Sequence, residues 1–89
     1  MRYAVSPDAA CAAVEDGTVV LNMRTKRYYS LNETGAAIWR MLEDDRAVTE
    51  IVAQLIASYD IDESAAASTV GQLLAELSAE SLIVPAPPR

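Results

Sequence analysis

The 89-residue sequence contains no histidine and no phenylalanine, and its only cysteine is Cys11. Without histidine, a serine or cysteine nucleophile lacks its usual general base, and a metal lacks its commonest nitrogen ligand. A single cysteine makes neither an internal disulfide nor a multi-cysteine metal site. Cys11 is expected to serve as a small apolar residue at a strand start, with a reactive thiol as the alternative. The three glycines stand apart at 17, 35 and 71, so no glycine-rich phosphate loop is present. Long apolar runs are missing too; none approaches the ~18 residues of a membrane-spanning helix. The opening stretch MRYAVSPDAACAAV lacks the apolar centre of a secretory signal. A cytoplasmic location is therefore expected. Cations are scarce: seven Lys and Arg against 13 Asp and Glu give a net charge of −6. Nucleic-acid binding depends on a cationic surface that releases phosphate counterions. Arg24, Lys26 and Arg27 form one small basic spot, suited to an acidic peptide or protein surface and too small for a DNA footprint. The carboxylates fall mostly in loops and at helix caps, with no pair set by spacing into a buried dyad. No enzyme activity, cofactor or metal is expected.

Half of the sequence (52%) is hydrophobic and 22% is charged, the composition of an ordinary globular domain. One domain is expected over residues 1–84, followed by a flexible Pro-rich tail over 85–89. Asp16-Gly17 reads as a two-residue hairpin turn between strands at 12–15 and 18–23. The chain turns again at 24–26, and a third strand, Arg27–Leu31, lies at the sheet edge with its outer N–H and C=O groups unpaired. Asn32 is placed to cap a first helix that buries Ile38, Trp39 and Leu42. Val48, Ile51, Val52, Leu55, Ile56 and Tyr59 share one face of a second helix over 48–59. Asp62 caps a third helix over 63–79, with Ala66, Val70, Leu73, Leu74 and Leu77 on one face. Gly71 interrupts this helix, either for a close backbone approach or simply as a tolerated residue. Leu82-Ile83-Val84 forms a short terminal strand or an apolar hook. The predicted class is α+β, a winged helix-turn-helix with a three-stranded antiparallel sheet followed by three helices.

The edge strand carries the densest aromatic cluster. Side chains alternate along a strand, so Tyr29 shares a face with Leu31 while Tyr28 faces away. Tyr29 reads as core or as groove wall, and Tyr28 as partner contact or edge cover. Arg27 and Lys26 either pair with carboxylates on a bound peptide or stay solvated. An exposed edge of this kind is where an extended peptide adds as a further strand.

The stretch RYYSLNETGAAIWRML, with VVLNMRTK before it and VTEIVAQLIASYDID and VGQLLAELSAESLIV after it, resembles the small leader-peptide-binding proteins of the pyrroloquinoline-quinone-biosynthesis D family. The pattern R-x-Y-x-L-N-x-T-G-x-x-I-W is most similar to stand-alone members serving lasso peptide biosynthesis. The resemblance implies a non-catalytic precursor-peptide recognition element, which binds the leader as an added strand between the third strand and the third helix. It also implies delivery to a leader peptidase of the cysteine protease type and to an ATP-dependent macrolactam synthetase. The matching peptide-binding positions are Arg27, Tyr28, Tyr29 and Ser30 on the strand, and Ala66, Thr69, Val70 and Leu73 on the helix. The sequence departs from the pattern at Lys26 and Ser81, where relatives often carry glycine. It departs again at Ala47, which stands at a usual hydroxyl cap. Two alternatives stay open: a peptide chaperone for quinone-cofactor or other radical-enzyme peptide maturation, and a winged-helix DNA-binding protein. The second calls for a basic third helix, yet 62–80 carries Asp62, Glu63, Glu76 and Glu80 and no Lys or Arg.

Overall fold

The computed structural model describes residues 2–86. Along the chain the elements are β1 (Arg2–Val5), β2 (Ala9–Val14), β3 (Gly17–Asn22), β4 (Arg27–Leu31), α1 (Glu33–Glu43), α2 (Val48–Tyr59), α3 (Glu63–Ala79) and β5 (Ile83–Ala86). Strands β2, β3 and β4 form an antiparallel sheet in that order, and β1 pairs antiparallel with β5. The three-stranded sheet followed by three helices is the α+β arrangement that the sequence predicts.

Each helix has a readable start. Asn32 Oδ1 accepts the Gly35 amide at 2.9 Å, and Asp62 Oδ1 accepts the Ala65 amide at 2.7 Å. Both satisfy a first-turn N–H that the helix itself leaves open. Ala47 has no side-chain acceptor at the start of α2. Only the reverse bond forms there, from the Ala47 amide to Glu50 Oε1 at 2.9 Å. The first and third helices end alike: Asp45 and Ser81 adopt φ of 61° and 58°. The next amides, Arg46 and Leu82, donate to Met41 and Leu77 carbonyls, closing Schellman turns. Lys26 also has a left-handed φ, 65°, as its substitution for glycine implies.

The core is continuous. Ile38, Trp39 and Leu42 of α1 pack with Ile51 and Leu55 of α2, with Val70, Leu74 and Leu77 of α3, and with Val20, Leu82 and Ile83 from the strands. Gly35 lets α1 begin directly on the sheet, since a Cβ there would lie 3.2 Å from Leu31 Cδ2.

Three local features differ from the sequence-based reading. The β2–β3 turn is one residue earlier than expected: Gly17 already pairs with Val14, so Glu15 and Asp16 make the turn. Glycine is needed at 17 because a Cβ would sit 1.9 Å from the Leu31 carbonyl oxygen. Cys11 stands mid-strand opposite Val20 and is exposed, its thiol 3.8 Å from Glu43 Oε2. Most of β2 is exposed on both faces, so the apolar character of Cys11 finds no core there. Strand β1 has no counterpart in the sequence reading, because its partner lies at the other end of the described chain. Ile83 and Val84 of the expected Leu82–Val84 segment join it in β5, which runs on through Pro85 and Ala86. The Ser6 amide donates to the Leu82 carbonyl at 2.9 Å. Ladder alternation then puts Pro85 in a non-hydrogen-bonded pair with Tyr3, where its missing N–H removes no bond. The rest of the expected tail, 87–89, lies outside the described residues.

Asn22 is 1% exposed at the end of β3. Its Oδ1 accepts the Arg24 and Thr25 amides at 3.0 and 3.1 Å, and its Nδ2 donates to the Glu80 carbonyl at 3.0 Å. Asn22→Leu leaves these groups without their partner, and urea unfolding is expected to show a loss of about 2–3 kcal/mol. A Cβ at Gly71 meets nothing within 4 Å, so no close approach explains this glycine. Gly71→Ala is expected to stabilise the domain by up to about 1 kcal/mol in the same assay.

Candidate functional site

A groove of about 620 Å³ opens between β4 and α3. Tyr29, Ser30 and Leu31 form one wall. Thr69, Gln72, Leu73 and Glu76 form the other, Gly35 and Ile38 of α1 the floor, and Tyr59 with Ile61 one end. A second hollow, about 310 Å³ between α1 and α2, offers no open strand edge. Among the described residues, no three His, Cys, Asp or Glu side chains gather into a set able to hold a metal ion.

The direction of the open main-chain groups follows from the ladder. The two-residue β2–β3 turn makes Val14 and Gly17 a hydrogen-bonded pair, and the Met23 amide donates to the Asp8 carbonyl at 2.8 Å in the same alternation. Counting along β3, the odd residues bond toward β2 and the even ones toward β4. Thr18, Val20 and Asn22 therefore bond with Leu31, Tyr29 and Arg27, and the N–H and C=O of Tyr28 and Ser30 point to the free edge. Side chains follow the complementary rule: Arg27, Tyr29 and Leu31 lie on the inner face, and Tyr28 and Ser30 on the outer.

Two polar contacts cross from strand to helix. The Tyr29 phenol donates to Glu76 Oε2, and Arg27 Nε lies 3.2 Å from Glu80 Oε1. Tyr29 is pushed up to about 12, first by its hydrogen bond to the Glu76 carboxylate, then by burial and by the charges of Glu76 and Glu80. Both carboxylates oppose formation of a phenolate.

The eight sequence-derived positions divide. Tyr29, Ser30, Thr69 and Leu73 line the groove. Tyr28 is 70% exposed on the outer face, so only its main chain borders the open edge. Arg27 lies beyond the groove end, its Nε 3.2 Å from Glu80 Oε1. Ala66 and Val70 are fully buried (0% exposed) and pack in the core. One step round the helix, Thr69, Gln72, Leu73 and Glu76 follow an i, i+3, i+4, i+7 row, and this is the row that faces β4. Gln72 and Glu76 were missed because periodicity marks the buried stripe but not which flank meets a neighbouring strand. Tyr59 and Ile61 were missed as an end wall because the tight turn into α3 places them. Tyr59, on the shared apolar face of α2, is 39% exposed at the end of the helix.

Residues 17–83 match the family of coenzyme PQQ synthesis protein D, PqqD. The chain belongs to the PqqD family. The match takes in all of β3, β4 and the three helices, and so both walls of the groove. Among solved structures, the PqqD-family fold seen here is similar to "TbiB1 in Complex with the TbiA(beta) Leader Peptide", with a TM-score of 0.87 and 26% identity over 96% of this chain and 99% of that one. It is also similar in fold to "Lasso peptide synthetase B1 complexed with the leader peptide", with a TM-score of 0.85 and 24% identity over 93% and 98% of the two chains. No curated protein sequence matches this chain.

The raised phenol of Tyr29 has a signed consequence. The fold favours its neutral form, so this contribution to stability is complete below pH ~10 and is lost as pH rises toward ~12. A phenolate absorbance titration of Glu76→Ala is expected to show one tyrosine that ionises clearly earlier than in the unaltered protein.

Proposed function

We propose that this protein is a non-catalytic peptide-binding module that captures the leader of a ribosomally made precursor as a strand added to the free edge of β4. The observation that carries this reading is the open Tyr28–Ser30 main chain beside an apolar-floored groove. The fold's likeness to a TbiB1–leader complex supports it, as does PqqD-family membership. Main-chain hydrogen bonds supply affinity in such a mode, and alternate side chains entering the groove supply selectivity. The pathway we favour is lasso peptide maturation, with the captured precursor passed to a cysteine-protease leader peptidase and an ATP-dependent macrolactam synthetase. Catalysis has no support in the site: the exposed Cys11 thiol lies 3.8 Å from the Glu43 carboxylate, outside the groove, and the sequence has no histidine to serve as its base. DNA binding is disfavoured by an α3 without a single cation.

Calorimetry with the leader encoded beside this gene is expected to give 1:1 binding with a dissociation constant of about 1 μM or tighter, near −8 kcal/mol. Absence of heat at tens of micromolar would sink the reading. Ser30→Pro removes an edge N–H that β3 does not use, and proline is tolerated at such an edge. It is expected to weaken binding by tenfold or more while shifting the thermal midpoint by only a few degrees. Thr69→Trp, on an exposed position of the opposite wall, is expected to fill the groove and block binding in a folded protein.

A further inference from the structure

The two strand-to-helix contacts are matched in spacing. They join residues 27 and 29 of β4 to residues 80 and 76 of α3, so the strand and helix run antiparallel. Two strand residues advance ~6.7 Å, and four helix residues advance ~6 Å. The contacts therefore form successive rungs of one ladder across the inner face. A third step arrives at Leu31 on the strand and at Gln72 and Leu73 on the helix, where no polar bridge forms and the groove opens. The rung at Tyr29–Glu76 lies at the groove's limit, and the rung at Arg27–Glu80 lies outside it.

We infer that Glu76 is a positioning residue: by holding the Tyr29 phenol it fixes the distance between the edge strand and α3, and it marks the register at which a bound strand stops. This role rests on the strand-addition reading proposed above. A strand laid beside β4 sends alternate side chains to the inner face, between β4 and α3. At the level of Leu31 such a side chain meets Gly35, Ile38, Ile61 and Leu73, the apolar part of a hollow that Thr34, Thr69 and Gln72 also line. Two residues along, at the level of Tyr29, the phenol–carboxylate rung occupies the same space. A bulky apolar side chain is thus accepted at the first level and refused at the second. The groove is also held open before the peptide arrives, which lowers the ordering cost of binding.

The test compares leader binding by calorimetry in the unaltered protein, Tyr29→Phe, Glu76→Ala, Glu76→Gln and the double variant Tyr29→Phe/Glu76→Ala. Glu76 is exposed, and alanine favours helix, so these chains are expected to fold with thermal midpoints near that of the unaltered protein. Each of Tyr29→Phe and Glu76→Ala is expected to weaken binding about tenfold. The double variant is expected to be no weaker than the poorer single one, because both remove the same rung. Glu76→Gln keeps an acceptor for the phenol and is expected to restore binding to within about threefold. Glu76→Ala binding within twofold of the unaltered protein overturns the role, and so do single effects that multiply in the double variant. If the unaltered protein binds no leader, the strand-addition reading fails and takes this role with it. Binding that is normal and indifferent to the rung removes the role alone.

Discussion

The buried side chain of Asn22 joins three parts of the molecule: β3, the turn into β4 and the end of α3. Its carbonyl oxygen gathers the amides of Arg24 and Thr25, which sets the turn leading into β4. Its amide nitrogen takes the Glu80 carbonyl, which sets where α3 ends. Strand start and helix end are thereby fixed to one residue on β3, the strand next to the edge. Everything that defines the groove follows from that coupling. Arg27 comes opposite Glu80, Tyr29 opposite Glu76, and the open hollow begins one step later. The left-handed residues Lys26 and Ser81 flank the same junction, one on each side. Two non-glycine residues held there show that the tertiary contacts outweigh a local backbone preference of roughly 1 kcal/mol each.

The sheet shows how one strand serves both core and surface. Leu31 is buried at 4% exposure, Tyr29 beside it is half-buried, and Tyr28 stands out at 70%. The alternation of side chains gives the inner face to packing, while the alternation of the ladder gives the edge to the main chain of Tyr28 and Ser30. An unpaired edge invites unwanted pairing, and proteins usually cover or charge it. Here α3 stands alongside it and leaves a groove rather than a seal. On the proposed reading that groove is functional, the place where one added strand is received.

Much of this architecture was legible in the sequence. The helix caps Asn32 and Asp62, the spacing of Ile51, Leu55, Val70, Leu74 and Leu77, and the β-branched run in β3 are local signals. Local signals find local elements. Lys26 and Ser81 were legible for another reason, since each stands where the family pattern has a residue free to adopt positive φ. The short strand β1 was not legible because its pairing joins the two ends of the described chain, and four residues carry no hairpin signal. The groove was half legible. Strand alternation pointed to Tyr29 and the family resemblance to Ser30, but Ala66 and Val70 were taken for wall and lie in the core. A helical stripe defines an angle around the helix; which edge of it meets a strand depends on how the helix is rotated against the sheet. That rotation is a tertiary quantity, seen here in Glu76 and Glu80 meeting β4, and no periodicity contains it.

The same rotation decides what kind of recognition the groove can perform. Arg27, the one cation nearest the edge, is engaged by Glu80, and the Glu76 carboxylate is engaged by a phenol. Charges at the groove's limit are thus met within the protein. The open part presents Leu31, Gly35, Ile38, Ile61 and Leu73 together with the polar side chains of Thr34, Thr69 and Gln72. On the proposed reading, a site of that composition reads a strand through its main chain and through the shape of one or two inward side chains. Selectivity then depends on geometry, on how far apart β4 and α3 stand and where the hollow ends. On the proposed reading, Asn22 belongs to the site although it does not line the groove, because it ties the start of β4 and the end of α3 to one point on β3.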